Sequence, residues 1–185
     1  ICSTCNQNNI LCPGHFGHIE LARPVYSYHF INTTLKILKC VCCKCSKLLI
    51  EKESDIMKTL LDKPNKVRWN EVYNLCSKIK ICGEETLDGC GTRQPDNYKN
   101  DSVVGIKASW KGADKDTPPV IKTYDAELVK QIFERISNED CNILGFSENW
   151  CRPEWLICSV LPVPPPAVRP SVKQGNSQRM DDDLT

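Results

Sequence analysis

Apolar residues return along this chain with two periods, and each predicts a different kind of element. Trp69, Val72, Tyr73, Cys76 and Ile79 recur at i, i+3, i+4, i+7 and i+10, the stripe of an amphipathic helix. Leu128, Val129, Ile132, Phe133 and Ile136 form a second stripe, with Asp125 placed as its N-cap. Between them Val104, Ile106, Ala108 and Trp110 alternate with mostly polar residues, the pattern of a half-buried strand. The loop Gly112–Pro119 then turns the chain into a short partner strand near Val120–Tyr124. Another short helix should stop at Gly145, and Pro153 suits the first position of one more. Residues 19–50 show a mixed apolar pattern, and Leu161–Pro170 holds five prolines, which predicts an extended, polyproline-like path. Short helices beside a small antiparallel sheet make this an α+β chain.

Composition sharpens the picture. The 185 residues can bury a core, and the formal net charge of +1 gives no global basic field. Locally the balance differs: Leu21–Ile50 contains no acidic residue but carries Arg23, Lys36, Lys39, Lys44 and Lys47. The longest apolar run, Trp155–Leu161, falls far short of the roughly 20 residues a membrane span needs. Both ends read as cuts through a longer polypeptide. Thirteen cysteines are an odd number for a closed disulfide framework, and many stand two residues from a partner. That spacing points to a reducing compartment and to zinc.

The first cluster is Cys2-x2-Cys5-x6-Cys12-x2-His15. Structural zinc takes four ligands in a tetrahedron, and a Cys-x-x-Cys knuckle fills two adjacent corners. Pro13 and Gly14 suit a tight knuckle, which favours His15 over His18 as the fourth ligand. The second cluster, Cys40-Val-Cys42-Cys43-Lys-Cys45, contains two overlapping frames. Cys42 and Cys45 are the better pair, because Val41 inside the other frame prefers extended backbone. Cys82 and the Gly-flanked Cys90 complete this set, whereas Cys76 lies on the apolar face of its helix. Cys40, Cys43, Cys141, Cys151 and Cys158 are expected to be small packing residues. Lys39, Lys44 and Lys47 could balance the negative charge of zinc-bound thiolates or contact nucleic acid.

Other features carry less. Asp181–Asp183 reads as a solvated run rather than a magnesium site, and Pro162-x-x-Pro165 lacks a flanking arginine. No nucleophile–base set, phosphate-cradling loop or histidine–glutamate protease motif occurs, so no catalytic residue is expected in this segment.

Cys2-Ser-Thr-Cys5, Cys12-Pro-Gly-His-Phe-Gly-His-Ile-Glu-Leu21, Cys42-Cys-Lys-Cys45, Asp88-Gly-Cys-Gly91 with Gln94-Pro95, Arg152-Pro-Glu-Trp155 and Leu161-Pro-Val-Pro-Pro-Pro-Ala-Val-Arg-Pro-Ser171 follow one another in the order seen in a known family. Together they resemble the beginning of the largest subunit of multisubunit DNA-directed RNA polymerases, most closely the RNA polymerase II branch. Archaeal and large-DNA-virus relatives share much of the pattern.

The resemblance implies an irregular zinc-stabilised clamp module, part of a mobile lobe that closes over template DNA and nascent RNA. It implies two zinc ions, one on Cys2, Cys5, Cys12 and His15 and one on Cys42, Cys45, Cys82 and Cys90. Arg23 and Lys36 would be the candidate nucleic-acid contacts. The implied organisation is a two-zinc region over 1–100, a small α+β lobe over 101–160 and a proline-rich extended segment over 161–185. Implied partners are the other polymerase subunits, including the second-largest, and initiation and elongation factors, with no membrane. The site is expected to be the nucleus, or for a viral relative a cytoplasmic factory or virion. The family's magnesium-holding Asp-Phe-Asp-Gly-Asp motif is absent here, and Asp88 stands where the family more usually has glycine. A free-standing zinc adaptor for protein partners is the alternative.

Overall fold

The chain begins in strand β1 (Gly17–Tyr26) and continues through helices α1 (Ile31–Cys40), α2 (Asp55–Leu61) and α3 (Asn65–Cys76). Strands β2 (Asn97–Asp101), β3 (Gly105–Trp110) and β4 (Val120–Tyr124) come next, then helices α4 (Ala126–Glu134) and α5 (Asn138–Ile143). A 3-10 turn at Pro153–Leu156 leads into β5 (Ile157–Val163), followed by β6 (Val172–Gln174) and β7 (Gln178–Met180). This computed structural model describes residues 1–52, 55–84, 86, 88–101, 105–112, 117–174 and 178–185. Val104 of the expected strand and 113–116 of the expected loop lie outside the described residues. The class is α+β, with short helices and small sheets as expected.

Two compact units form, residues 1–22 with 159–185 and residues 23–158. The larger holds the apolar core. Ile106 and Ala108 of β3 point into it, Val129, Ile132 and Phe133 of α4 face it, and all five are fully buried. α4 starts where the sequence places its cap: Asp125 is extended, and its Oδ1 accepts the Leu128 N–H at 2.9 Å. Ser137 caps α5 in the same way, accepting the Asp140 N–H at 3.1 Å, and Gly145 just beyond that helix has φ +84°. The sheet order is β2-β3-β4, antiparallel throughout, with Ala108 opposite Tyr98 and Lys122. The boundary expected near residue 100 falls inside β2, whose register with β3 runs from Asn97↔Ser109 to Asp101↔Gly105. β2 reads Asn-Tyr-Lys-Asn-Asp, one apolar residue among polar ones, and so gives no strand signal by itself.

β1 pairs with β5, and in the smaller unit β6 pairs with β7 in an antiparallel hairpin. The proline-rich stretch departs from the expected path. It is extended through Val163 and then turns, with the Val168 N–H donating to Pro165 O at 2.9 Å and the Arg169 N–H to Pro166 O at 3.2 Å. Proline fixes only φ, near −65°, and that value serves a tight turn as well as polyproline.

Three further expectations need correcting. Ile79 is buried, but α3 ends at Cys76, and bonds from Lys78 N to Leu75 O and Ile79 N to Cys76 O tighten the chain beyond it. Cys151 is exposed rather than packed, and Cys158 is only partly covered. Their apolar neighbours in sequence misled, because Trp150 beside Cys151 is itself 87% exposed.

Replacing Phe133 by Ala should cost about 3–5 kcal/mol by cavity formation, and Asp125→Ala about 1 kcal/mol by loss of the cap. Urea unfolding monitored by circular dichroism checks both, and equal effects would contradict the packing described.

Candidate metal centres

A Cys-x-x-Cys knuckle needs the chain to reverse immediately after its second cysteine, so that backbone amides point back at sulfur. That reversal is visible here. Asn6 after Cys5 has φ +56° and Ser46 after Cys45 has φ +63°, the two non-glycine residues among those described with positive φ. Gly83 after Cys82 and Gly91 after Cys90 take φ +97° and +70°. The left-handed conformation thus follows a candidate ligand four times. Amides then reach the sulfurs: Thr4 N–H donates to Cys2 Sγ and Lys44 N–H to Cys42 Sγ, each at 3.4 Å.

In the smaller unit Cys2, Cys5, Cys12 and His15 place one ligand atom each within 4.8 Å of one another. Cys5 and Cys12 sulfurs are 3.6 Å apart, and His15 Nε2 is 3.5 Å from Cys12 Sγ. Gly14 makes the turn between Cys12 and His15 with φ +85°, and a Cβ there would lie 2.8 Å from Pro165 Cβ. His18 is exposed on β1 and is not in the group.

In the larger unit Cys42, Cys45, Cys82 and Cys90 form the second group. Cys42 and Cys90 sulfurs stand 3.5 Å apart, and those of Cys45 and Cys82 stand 3.7 Å apart. Zn–S bonds of ~2.3 Å in a tetrahedron imply S···S edges of about 3.8 Å, and a histidine corner an S···N edge of about 3.6 Å. Both donor sets fit zinc. Cys40 and Cys76 are buried in the core, in neither group, as expected.

The thiols do not share charge equally. Hydrogen bonding with Cys43, aided by the Cys45 and Lys44 amides, brings Cys42 down to about 3. The Cys5 and Thr4 amides bring Cys2 down to about 6, and the Thr92 hydroxyl lowers Cys90. Burial pushes Cys45 and Cys82 up. The Gln7 amide favours ionised Cys5, but burial and the neighbouring Cys12 and Cys2 outweigh it and hold Cys5 up. One ionised sulfur opposes ionisation of its neighbours, and a divalent cation at the centre reverses that opposition. Cys43, beside ionised Cys42, is pushed far upward and remains a thiol.

Three partners around the second centre were not anticipated. Gln94 is buried and donates from Nε2 to Cys42 Sγ at 3.3 Å. Thr92 Oγ1 lies 3.2 Å from Cys90 Sγ. Lys47 donates to Asp88 Oδ2 at 2.6 Å and to Asp88 O at 3.1 Å, so this acid takes up one of the basic charges. The usable signal was a polar side chain four residues after Cys90, between Arg93 and Pro95. Lys36 places Nζ 5.6 Å from the centre of the Tyr73 ring, and both Lys36 and Arg23 are exposed. Asp181–Asp183 belong to neither metal-competent group.

Gly89 tests this arrangement. A Cβ there would meet Gly83 Cα at 2.1 Å, whereas at Gly91 it meets nothing within 4 Å. Gly89→Ala should therefore abolish metal uptake by the second centre. Gly91→Ala should retain it at a cost of roughly 1–2 kcal/mol for the left-handed backbone. Cobalt(II) titration of both variants reads the difference, and equal uptake would contradict the close approach.

Comparison with known proteins accounts for the pattern as a whole. The chain is 45% identical over 194 aligned residues to the DNA-directed RNA polymerase II subunit RPB1 of Euplotoides octocarinatus, covering 100% of this chain and 40% of that protein. It thus spans less than half the length of this relative. The family described as RNA polymerase Rpb1, domain 1, matches residues 1–185, and the chain belongs to that family, at the amino-terminal end of an RNA polymerase largest subunit.

Proposed function

We propose that this chain is the clamp segment of the largest subunit of a DNA-directed RNA polymerase, held in shape by two zinc ions. The observation that carries the reading is the pair of tetrahedrally spaced donor sets within a chain that matches the family from end to end. Cys2, Cys5, Cys12 and His15 would hold one ion, and Cys42, Cys45, Cys82 and Cys90 the other. Bound zinc supplies a cross-link rather than chemistry. In small modules such a site contributes on the order of 10–16 kcal/mol, comparable with a domain's whole stability.

The segment would help keep template DNA and nascent RNA in place while nucleotidyl transfer, with its magnesium, occurs elsewhere in the enzyme. Partners of this reading are the other subunits, including the second-largest, and initiation and elongation factors; its place is the nucleus. The greater length of the relative argues against a free-standing adaptor. Arg23 and Lys36 are the proposed phosphate contacts. Both are exposed within an acid-free stretch, in which Lys47 is instead held by Asp88.

Elemental analysis of protein purified without chelator should find two zinc ions per chain. Cys76→Ser should keep both, and Cys82→Ser should lose one; a single ion or none in the unsubstituted chain would sink the zinc reading.

The clamp reading is tested in the assembled polymerase. Combined Arg23→Ala and Lys36→Ala should shorten the lifetime of the elongation complex and reduce its log–log salt slope by about 2, with zinc content unchanged. An unaltered salt dependence would remove these residues from the nucleic-acid contact.

A further inference from the structure

Gln94 is 4% exposed, a polar side chain inside the core beside the second centre. Its Oε1 accepts the Cys43 N–H at 2.9 Å, while its Nε2 donates to Thr92 O at 2.8 Å and to Cys42 Sγ at 3.3 Å. A backbone N–H only donates and a backbone carbonyl only accepts, so these partners fix which end of the amide faces the sulfur. Gln94 thus holds both arms of the Cys42–Cys43 step and adds no charge to a site already rich in ionisable groups.

We propose that Gln94 is a positioning residue of the second metal centre: its amide anchors the Cys42 sulfur, and the centre opens instead at its exposed corner, Cys90. The proposal rests on the zinc reading given above. Two observations separate the corners. Cys42 is fully buried and receives two N–H donors, from Lys44 and Gln94, while Cys90 is exposed. An N–H···S bond draws electron density from sulfur and lowers its basicity, so a proton or an electrophile meets less reactive sulfur at Cys42. At Cys90 the nearest side-chain partner is the Thr92 hydroxyl, and solvent reaches the residue directly. Removing the amide donor makes Cys42 sulfur more basic and narrows the asymmetry, while burial and the Lys44 N–H remain.

The experiment uses the purified chain loaded with cobalt(II), with Gln94→Glu and Gln94→Leu beside it. Glutamate keeps an oxygen for the Cys43 N–H but has no donor for Cys42, whereas leucine removes both arms at similar size. Both variants should still take up two metal equivalents. Their sulfur-to-cobalt charge-transfer band should move to longer wavelength, and release from the second centre to a chelator should quicken roughly 10–100-fold. With N-ethylmaleimide, peptide mapping should find Cys90 labelled before Cys42 in the unsubstituted chain and the lag between them shortened in the variants. Should the leucine variant fail to fold, the glutamate variant still decides. An unmoved band and an unchanged labelling lag in Gln94→Glu, or Cys42 labelled first in the unsubstituted chain, would overturn the proposal. An unsubstituted chain that takes up fewer than two metals overturns the zinc reading itself; one that takes up two, with variants indistinguishable from it, overturns only the role of Gln94.

Discussion

Sulfur atoms drawn to within 4 Å of one another repel as soon as more than one is ionised, and much of the local structure answers to that constraint. The left-handed residues Asn6, Ser46, Gly83 and Gly91 each stand directly after a candidate ligand and let the chain double back. Amides of Thr4 and Lys44 and the side chain of Gln94 supply donors to the sulfurs most easily ionised. Gly83 and Gly89 approach so closely that neither backbone leaves room for a side chain at Gly89. A tetrahedral cation relieves the repulsion that these devices only moderate.

How much of this was readable in advance depended on whether a signal was local. Helix α4 carried its cap and its apolar stripe in one short stretch, and both stand in the structure. The two donor groups that the structure brings together were legible because knuckle spacing is a covalent fact, and because proline–glycine and glycine–cysteine–glycine turns have a steric meaning. Helix α1 was not read: it opens with Ile31, Thr33 and Thr34, β-branched residues of modest helix propensity, and has no side-chain cap. Packing against α3 and burial of Ile37 and Leu38 hold it instead. Strand β2 was invisible for the same reason, since its place is set by β3 rather than by its own composition. Gln94 acts on Cys42 from 52 positions away, beyond any local pattern.

The larger unit places its apolar core and its candidate centre in one continuous packing arrangement. Cys42 and Cys82 are themselves among the buried core residues, so the sulfur cluster is one wall of that core. α1 delivers the chain to the Cys42 knuckle, and α3 delivers it toward Cys82, while Cys40 and Cys76 at the ends of those helices lie in the core between. The core and the cluster therefore constrain the same backbone. Disturbing either one is felt in the other.

The smaller unit joins residues 1–22 to 159–185, so its two parts are separated by the whole of 23–158. The stretch between is itself the larger compact unit, and β1 cannot pair with β5 until all of it has been made. A ribosome adding about 5–20 residues each second needs on the order of ten seconds to make the intervening stretch. Through that interval the Cys2–His15 donors are already present while β5, the partner of β1, has not yet been synthesised. A fold drawn from distant stretches of one chain thus has its metal-competent loop made early and its closing strand made late.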